Sequence, residues 1–170
     1  FTDSIDTTKL TAFRKELNET SEIKIAVSDL LILAASKALQ EYPEINSSLV
    51  DEKIVTYKST NVGTAVAGEN GLIVPVVKNV QEKSLTMVAK ETKDLFARAK
   101  VGKLNPDEYS RGTFSISNLG MFGIDNFTAI INPPESAILS VSSVKKTAVV
   151  IEEEGEDKIV IRPMMNIQLS

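Results

Sequence analysis

The apolar rhythm of this chain changes at Gly112, and that change constrains the fold more than any other feature of the sequence. Before Gly112, helical stripes alternate with short β-rich runs. Leu10, Phe13 and Leu17 recur at i, i+3 and i+7 after Asp6-Thr7-Thr8, which predicts a first helix. Ser28 is a candidate cap for a second helix, apolar from Leu30 to Leu39 and stopped by Pro43. Apolar residues wrap around that segment, which predicts a buried helix. Ser84 opens a third, with Leu85, Val88, Leu95 and Ala99 on one face and Gly102 as its stop. Strands are predicted over Lys53–Tyr57, Val62–Ala67 and Leu72–Val77, with a turn at Gly68–Gly71. Pro75 cannot donate to a ladder, so the last of these belongs at a sheet edge or a bulge. After Gly112 the helical period is gone. Thr113–Ser117, Phe127–Ile131, Ala137–Val144 and Ala148–Glu152 read as strands, and Glu153–Asp157 as an acidic turn. Ile159–Arg162 returns from it, and Met164–Ser170 is a final strand. The pattern predicts one α/β domain, a mixed sheet covered by helices on one face.

Composition bounds the chemistry. The 170 residues, 42% hydrophobic and 25% charged, are those of an ordinary globular chain long enough to bury a core. A net charge of −4, with lysines scattered among acids, argues against nucleic acid, whose binding needs a clustered basic surface. No apolar run is long enough to span a membrane, and no signal peptide is visible. The first residue is Phe, so the chain reads as a fragment or a processed form. There is no cysteine, hence no disulfide and no thiol nucleophile, which fits a reducing compartment. There is no histidine either. A Ser-His-Asp triad, a Cys-His pair and the common zinc sites cannot be built from these residues. Composition alone therefore favours a non-catalytic domain.

Local motifs are few. Ser115-Ile-Ser117-Asn118 ends a strand and enters a loop holding Gly120 and Gly123. A strand end aims a hydroxyl rigidly, and glycines beside it let a ligand approach. The same pattern also serves as a plain strand-to-turn junction. Asn132-Pro-Pro-Glu135 reads as a rigid extended connector. Arg14, beside Lys15 and Glu16, lies on a solvated helix face or meets an anion. Lys78 and Lys83 flank a turn and are solvated. The acidic run from Glu152 to Asp157 lacks calcium-loop spacing, so no metal site is expected there.

Six segments in one order carry a resemblance. They are Leu10-Thr-Ala-Phe-Arg-Lys-Glu-Leu17, Tyr42-Pro-Glu-Ile-Asn46, Asn61-Val-Gly-Thr-Ala-Val-Ala67, Gly71-Leu-Ile-Val-Pro-Val76, Gly112-Thr-Phe-Ser-Ile-Ser-Asn-Leu-Gly120 and Asn132-Pro-Pro-Glu-Ser-Ala-Ile-Leu139. Together they resemble the acyltransferase catalytic domain of the 2-oxoacid dehydrogenase complexes, over essentially all of residues 1–170. The resemblance implies a two-layer sandwich like chloramphenicol acetyltransferase, assembled as a homotrimer that builds a larger core, with active sites between subunits. It implies CoA as a substrate and a lipoyl group carried on a separate domain, with no metal. Lipoyl domains and the dehydrogenase and dihydrolipoamide dehydrogenase components are the implied partners, in a bacterial cytoplasm or a mitochondrial matrix. Acetyl is the favoured acyl group because pyruvate complexes are common; branched-chain, succinyl and acetoin-linked enzymes stay open.

The resemblance also assigns residues. Ser117 would donate to the tetrahedral oxyanion. Asn118 would help hold CoA, and Arg14 matches a first-helix arginine at the CoA site. Ser142 and Val144 fall in a strand lining the same channel. Ala67 stands where some members carry a pocket aspartate. The family's base lies in an Asp-His-Arg-x-x-Asp-Gly motif after a strand resembling Met164–Ser170. The expectation is thus a catalytic domain incomplete at its C-terminus, lacking its lipoyl and subunit-binding domains and close to inactive as a piece. A non-catalytic scaffold relative in the same complex, or a relative acylating a small molecule, are the alternatives.

Overall fold

The computed structural model describes residues 1–69 and 71–170; the expected turn at Gly68–Gly71 includes Asn70, which lies outside the described residues. In chain order the elements are β1 (Thr2–Asp6), α1 (Thr8–Thr20), α2 (Val27–Glu41), β2 (Ser47–Val50), β3 (Lys53–Thr56), β4 (Val62–Thr64), β5 (Val66–Gly68), β6 (Gly71–Ile73), β7 (Val76–Val77), α3 (Leu85–Lys100), β8 (Phe114–Asn118), β9 (Ile138–Glu153) and β10 (Glu156–Leu169). Six strands form one sheet in the order β1-β10-β9-β8-β4-β7. β8 runs parallel to both β4 and β9, and the other pairs are antiparallel, so the sheet is mixed as predicted.

Strand alternation decides where the core lies. Val62 of β4, Phe114 and Ile116 of β8, Val141 of β9 and Met165 of β10 join one buried cluster. Ile32 and Leu39 of α2 and Val88 and Leu95 of α3 meet them from the helix layer. These two helices therefore cover one face of the sheet. α1 is different: none of its residues is buried, and Phe13 of the predicted stripe is 49% exposed.

The helix ends follow local chemistry, with one departure. Ser84 caps α3 as expected, its hydroxyl accepting from the Met87 N–H at 3.3 Å. Gly102 takes φ +63 just beyond the helix, the left-handed turn that a side chain resists. Ser28, in contrast, does not cap α2. The helix begins at Val27 with Ala26 as its cap residue. Asp29 explains the earlier start. Its carboxylate accepts from the Ala26 N–H at 2.7 Å and from the Thr92 hydroxyl at 2.6 Å. A carboxylate is favourable at the positive end of a helix, and this one also ties α2 to α3.

The β half differs from expectation in continuity. Ala137–Val144 and Ala148–Glu152 are one strand, β9; Ile159–Arg162 and Met164–Ser170 are one strand, β10. The acidic turn is a two-residue hairpin, with Glu154 and Gly155 both at positive φ, the geometry that matches strand twist. Phe127–Ile131 is not a strand. It crosses the sheet as irregular chain, held by Ala129 N–H donating to Ser140 Oγ at 3.0 Å and Thr128 Oγ1 donating to Gln168 Oε1 at 3.1 Å. Side-chain partners replace the ladder that β propensity alone would have supplied. Pro75 splits the predicted Leu72–Val77 strand into β6 and β7, and β7 is a sheet edge, as its missing donor requires. Val62–Ala67 likewise divides at Ala65, because β5 leaves the main sheet to pair with β6.

A charged clasp closes the end of α3. Arg98 gives Glu108 two parallel bonds of 2.6 Å and reaches Asp94 at 2.6 Å. The Arg98 guanidinium, with help from the Asn105 N–H, holds the Glu108 carboxyl at about 2, against an ordinary 4.5. A depressed carboxylate stabilises the fold above its ordinary value and loses that contribution as pH falls through the folded value. The difference in urea midpoint between wild type and Glu108→Gln is therefore constant above pH 4.5 and vanishes towards pH 2. A difference independent of pH would show that the clasp does not act through its charge.

Candidate active site

β8 ends where the chemistry is expected. Phe114 and Ile116 point to the core, so Ser115 and Ser117 occupy the opposite face of the strand. Register pairs Ser117 with Ser140 and Asn118 with Val141. Asn118 then turns the chain: its Oδ1 accepts from the Gly120 N–H at 2.9 Å, a side-chain mimic of a backbone turn. A Cβ at Gly120 would stand 3.0 Å from that oxygen and 3.1 Å from the Ser142 carbonyl oxygen, so the turn has no room to spare there. A short 3-10 turn over Gly120–Phe122 follows and ends at Gly123, φ +74.

A bulge in β9 completes the site. Val141 pairs with Ile167 and Val144 with Met165, so Ser142 and Ser143 together face Asn166 alone. The extra residue returns Val144 to the face that Val141 occupies; regular alternation would have sent it to the other. Ser142 secures the bulge, its hydroxyl donating to the Asn166 carbonyl at 2.6 Å. The outcome is a cleft of about 340 Å³ between the start of α2 and the sheet. Its walls are Val27, Asn118, Gly120, Met121, Val141, Ser142, Val144 and Met165.

Three of the residues singled out in the sequence, Asn118, Ser142 and Val144, thus line one cleft, and Ser117 sits one position behind Asn118. Ser142 is buried, with its hydroxyl committed to the bulge. Arg14 is not among the lining residues. It reaches the Ile25 carbonyl from α1 at 3.4 Å, and Asn18 reaches the same oxygen at 3.0 Å, so both steady the segment that leads into Val27. Val27, Met121, Val141 and Met165 were missed. Their apolar character reads as core, and Val141 and Met165 do belong to the core cluster whose edge the cleft reaches. Ala67, on β5, is exposed and lies outside the cleft.

Two other features bear on the site. Gly112 lacks a side chain because a Cβ there would lie 2.6 Å from Glu135 Oε1, which joins the two most specific sequence motifs physically. Glu135 is buried, and burial lifts its carboxyl above the ordinary carboxylate range. A larger cleft, about 480 Å³, runs past Gly68, Leu72, Ala99 and Tyr109. Among the described residues neither its walls nor those of the smaller cleft hold a charged side chain, and the smaller one is bounded by Asn118, the residue after Ser117. No described group of three or more His, Cys, Asp or Glu is placed to hold a metal.

Comparisons with known proteins agree with this fold. The family model described as 2-oxoacid dehydrogenases acyltransferase (catalytic domain) matches residues 1–170. The dihydrolipoyllysine-residue acetyltransferase component of the pyruvate dehydrogenase complex of Rickettsia conorii is 43% identical over 166 residues, 95% of this chain and 39% of that protein. The chain therefore spans about two fifths of the length of such curated relatives. Among solved structures, the Azotobacter vinelandii dihydrolipoamide acetyltransferase, investigated for the catalytic roles of a serine, a histidine and an asparagine, superposes with TM-score 0.92. It is 36% identical, over 99% of this chain and 70% of that one. Chloramphenicol acetyltransferase shares the fold at TM-score 0.64 and 14% identity, over 99% of this chain and 76% of that one.

Proposed function

The chain belongs to the catalytic-domain family of the 2-oxoacid dehydrogenase acyltransferases, and from that premise we propose that it is the acyltransferase core of a pyruvate dehydrogenase complex, moving acetyl groups between dihydrolipoamide and CoA. The observation that carries this reading is the cleft itself. Asn118, Ser142 and Val144 meet there beside the strand end that aims Ser117. CoA lies along these walls, with Arg14 at the CoA site by family resemblance. The lipoyl arm, on its own domain, approaches from elsewhere.

The reaction exchanges one thioester for another. A thiol with a pKa of about 8.5 is mostly protonated at neutral pH, so a base must take its proton as sulfur attacks the carbonyl. The new C–S bond forms while the carbonyl π electrons move onto oxygen. Ser117 Oγ donates a hydrogen bond to that oxyanion. The electrons then return, the old C–S bond breaks, and the leaving thiolate takes up the proton. Among the described residues no titratable side chain lines the cleft, and no histidine occurs in the 170 residues. The reading gives the base to a family histidine from outside these residues, reached across a subunit boundary in a homotrimer. The exposed Phe13 of α1 and the exposed Val150, Ile159 and Ile161 of the outer β9–β10 ribbon support such an assembly. The trimers build a larger core that receives lipoyl domains and the two dehydrogenase components.

The full-length protein should transfer acetyl from acetyl-CoA to dihydrolipoamide. Val144→Trp, which fills the cleft, should raise KM for acetyl-CoA by about tenfold and leave KM for dihydrolipoamide near its original value. A silent Val144→Trp would remove the CoA assignment. The scaffold reading draws on one observation, the lack of a titratable group on the cleft walls among the described residues. A full-length protein without transferase activity that still assembles into the complex would establish it.

A further inference from the structure

We propose that Ser143 is a positioning residue for the oxyanion donor: the β9 bulge presents it as a clasp that fixes the loop leaving Ser117. The inference rests on the transferase reading of Ser117 and adds a residue that reading does not use. The loop from Leu119 to Ile124 has little packing to hold it. Met121 is 81% exposed and Phe122 64% exposed, so apolar burial does not set its position. Polar contacts do so instead, and three of them come from Ser143. The Ser143 N–H donates to the Ile124 carbonyl at 2.8 Å. Its hydroxyl lies 3.0 Å from the Gly120 carbonyl and 2.9 Å from that of Ile124. One hydroxyl proton shared between two acceptors is a three-centre bond, and it spans both ends of the loop.

The bulge is what makes this possible. With Ser142 and Ser143 both opposite Asn166, successive hydroxyls take different partners, Ser142 holding β10 and Ser143 holding the loop. Asn166 closes the circuit from the other strand, its Nδ2 donating to the Asp125 carbonyl at 3.0 Å. At the near end, Leu119 N–H donates to the Val141 carbonyl at 3.0 Å. The peptide units on the loop side of Ser117 and Asn118 are thus referenced to β9. Misplacing a catalytic group by about 1 Å can cost up to about 10²-fold in rate.

The test is a double-mutant cycle in the full-length protein, read by acetyl transfer and by amide hydrogen exchange. Ser143→Ala should lower kcat by about tenfold, and Ser143→Thr, which keeps the hydroxyl, should restore it. Amides of Met121 to Gly123 should exchange faster in the alanine variant. In a Ser117→Ala background the same substitution should cost less than about twofold, because no donor remains to be positioned. An unchanged kcat in Ser143→Ala overturns the proposal. So does a loss that threonine fails to restore, or a loss equally large in both backgrounds. Should Ser117→Ala alone keep the full rate, the oxyanion assignment falls and this proposal with it. A large Ser117→Ala loss beside a silent Ser143→Ala removes only the positioning role.

Discussion

On the proposed reading, Ser117→Ala in the full-length protein should lower kcat for acetyl transfer by about 10²–10³-fold, the usual cost of losing one oxyanion donor, while KM for both substrates should stay close to the wild-type value. In that role the hydroxyl would act on charge that exists only once the carbonyl has been attacked, so its loss should be felt in the transition state and not in binding. The substitution is otherwise mild. Ser117 is the fourth residue of β8, between neighbouring strands β4 and β9, and alanine keeps the backbone and its ladder. Ser115 is the control. It lies two residues earlier on the same strand face and is buried, away from the strand end. Ser115→Ala should therefore leave kcat within about twofold of wild type. Equal rates for Ser117→Ala and wild type would take the donor role from this strand end.

The second large effect is on stability. Ile32→Ala should cost about 2–5 kcal/mol, the range for truncating a fully buried aliphatic side chain. Ile32 is 0% exposed and belongs to the cluster that joins α2, α3 and the central strands. Its neighbours on that face, Asp29, Ser36 and Leu39, are all committed. Asp29 holds Thr92, Ser36 holds Thr60 at 2.5 Å, and Leu39 fills the far end of the cluster. With the helix fixed at these points, the void cannot collapse cheaply. Urea unfolding should show a lower midpoint with an unchanged slope, the signature of lost stability without a change in the surface exposed. A loss under about 0.5 kcal/mol, the ordinary range for a surface position, would mean that Ile32 is not central to the core.

Much of this architecture was legible before any coordinates. The stripes of α2 and α3, the Ser84 cap, the Gly102 stop and the edge position of the Pro75 segment each follow from one residue type with one physical property. β1 was not legible, because all five of its residues are exposed and show no alternation. Phe127–Ile131 misled for the opposite reason. Its β-rich composition was real, but Ser140 and Gln168 offer side-chain partners that no local pattern announces. At the site, the motif around Ser117 and Asn118 could be read directly. The bulge could not. Ser142-Ser143 looks like ordinary strand, and only pairing with the single residue Asn166 turns Val144 into the cleft. Arg14 bonds the Ile25 carbonyl, off the wall of this cleft, so its proposed place at the CoA site rests on the resemblance alone.

The broken strand at Pro75 also bears on how this molecule behaves in a crowd. A sheet edge with free N–H and C=O groups invites strands from other chains. Here one edge is β7, only two residues long and preceded by a buried proline. Too little ladder remains for a foreign strand to grip. The opposite edge, β1, carries Asp3 and Asp6 along five exposed residues, and charges there repel a second copy of the same edge. Restoring a continuous edge with Pro75→Val would thus trade a short, guarded border for a template, and the cost would appear as precipitation during refolding.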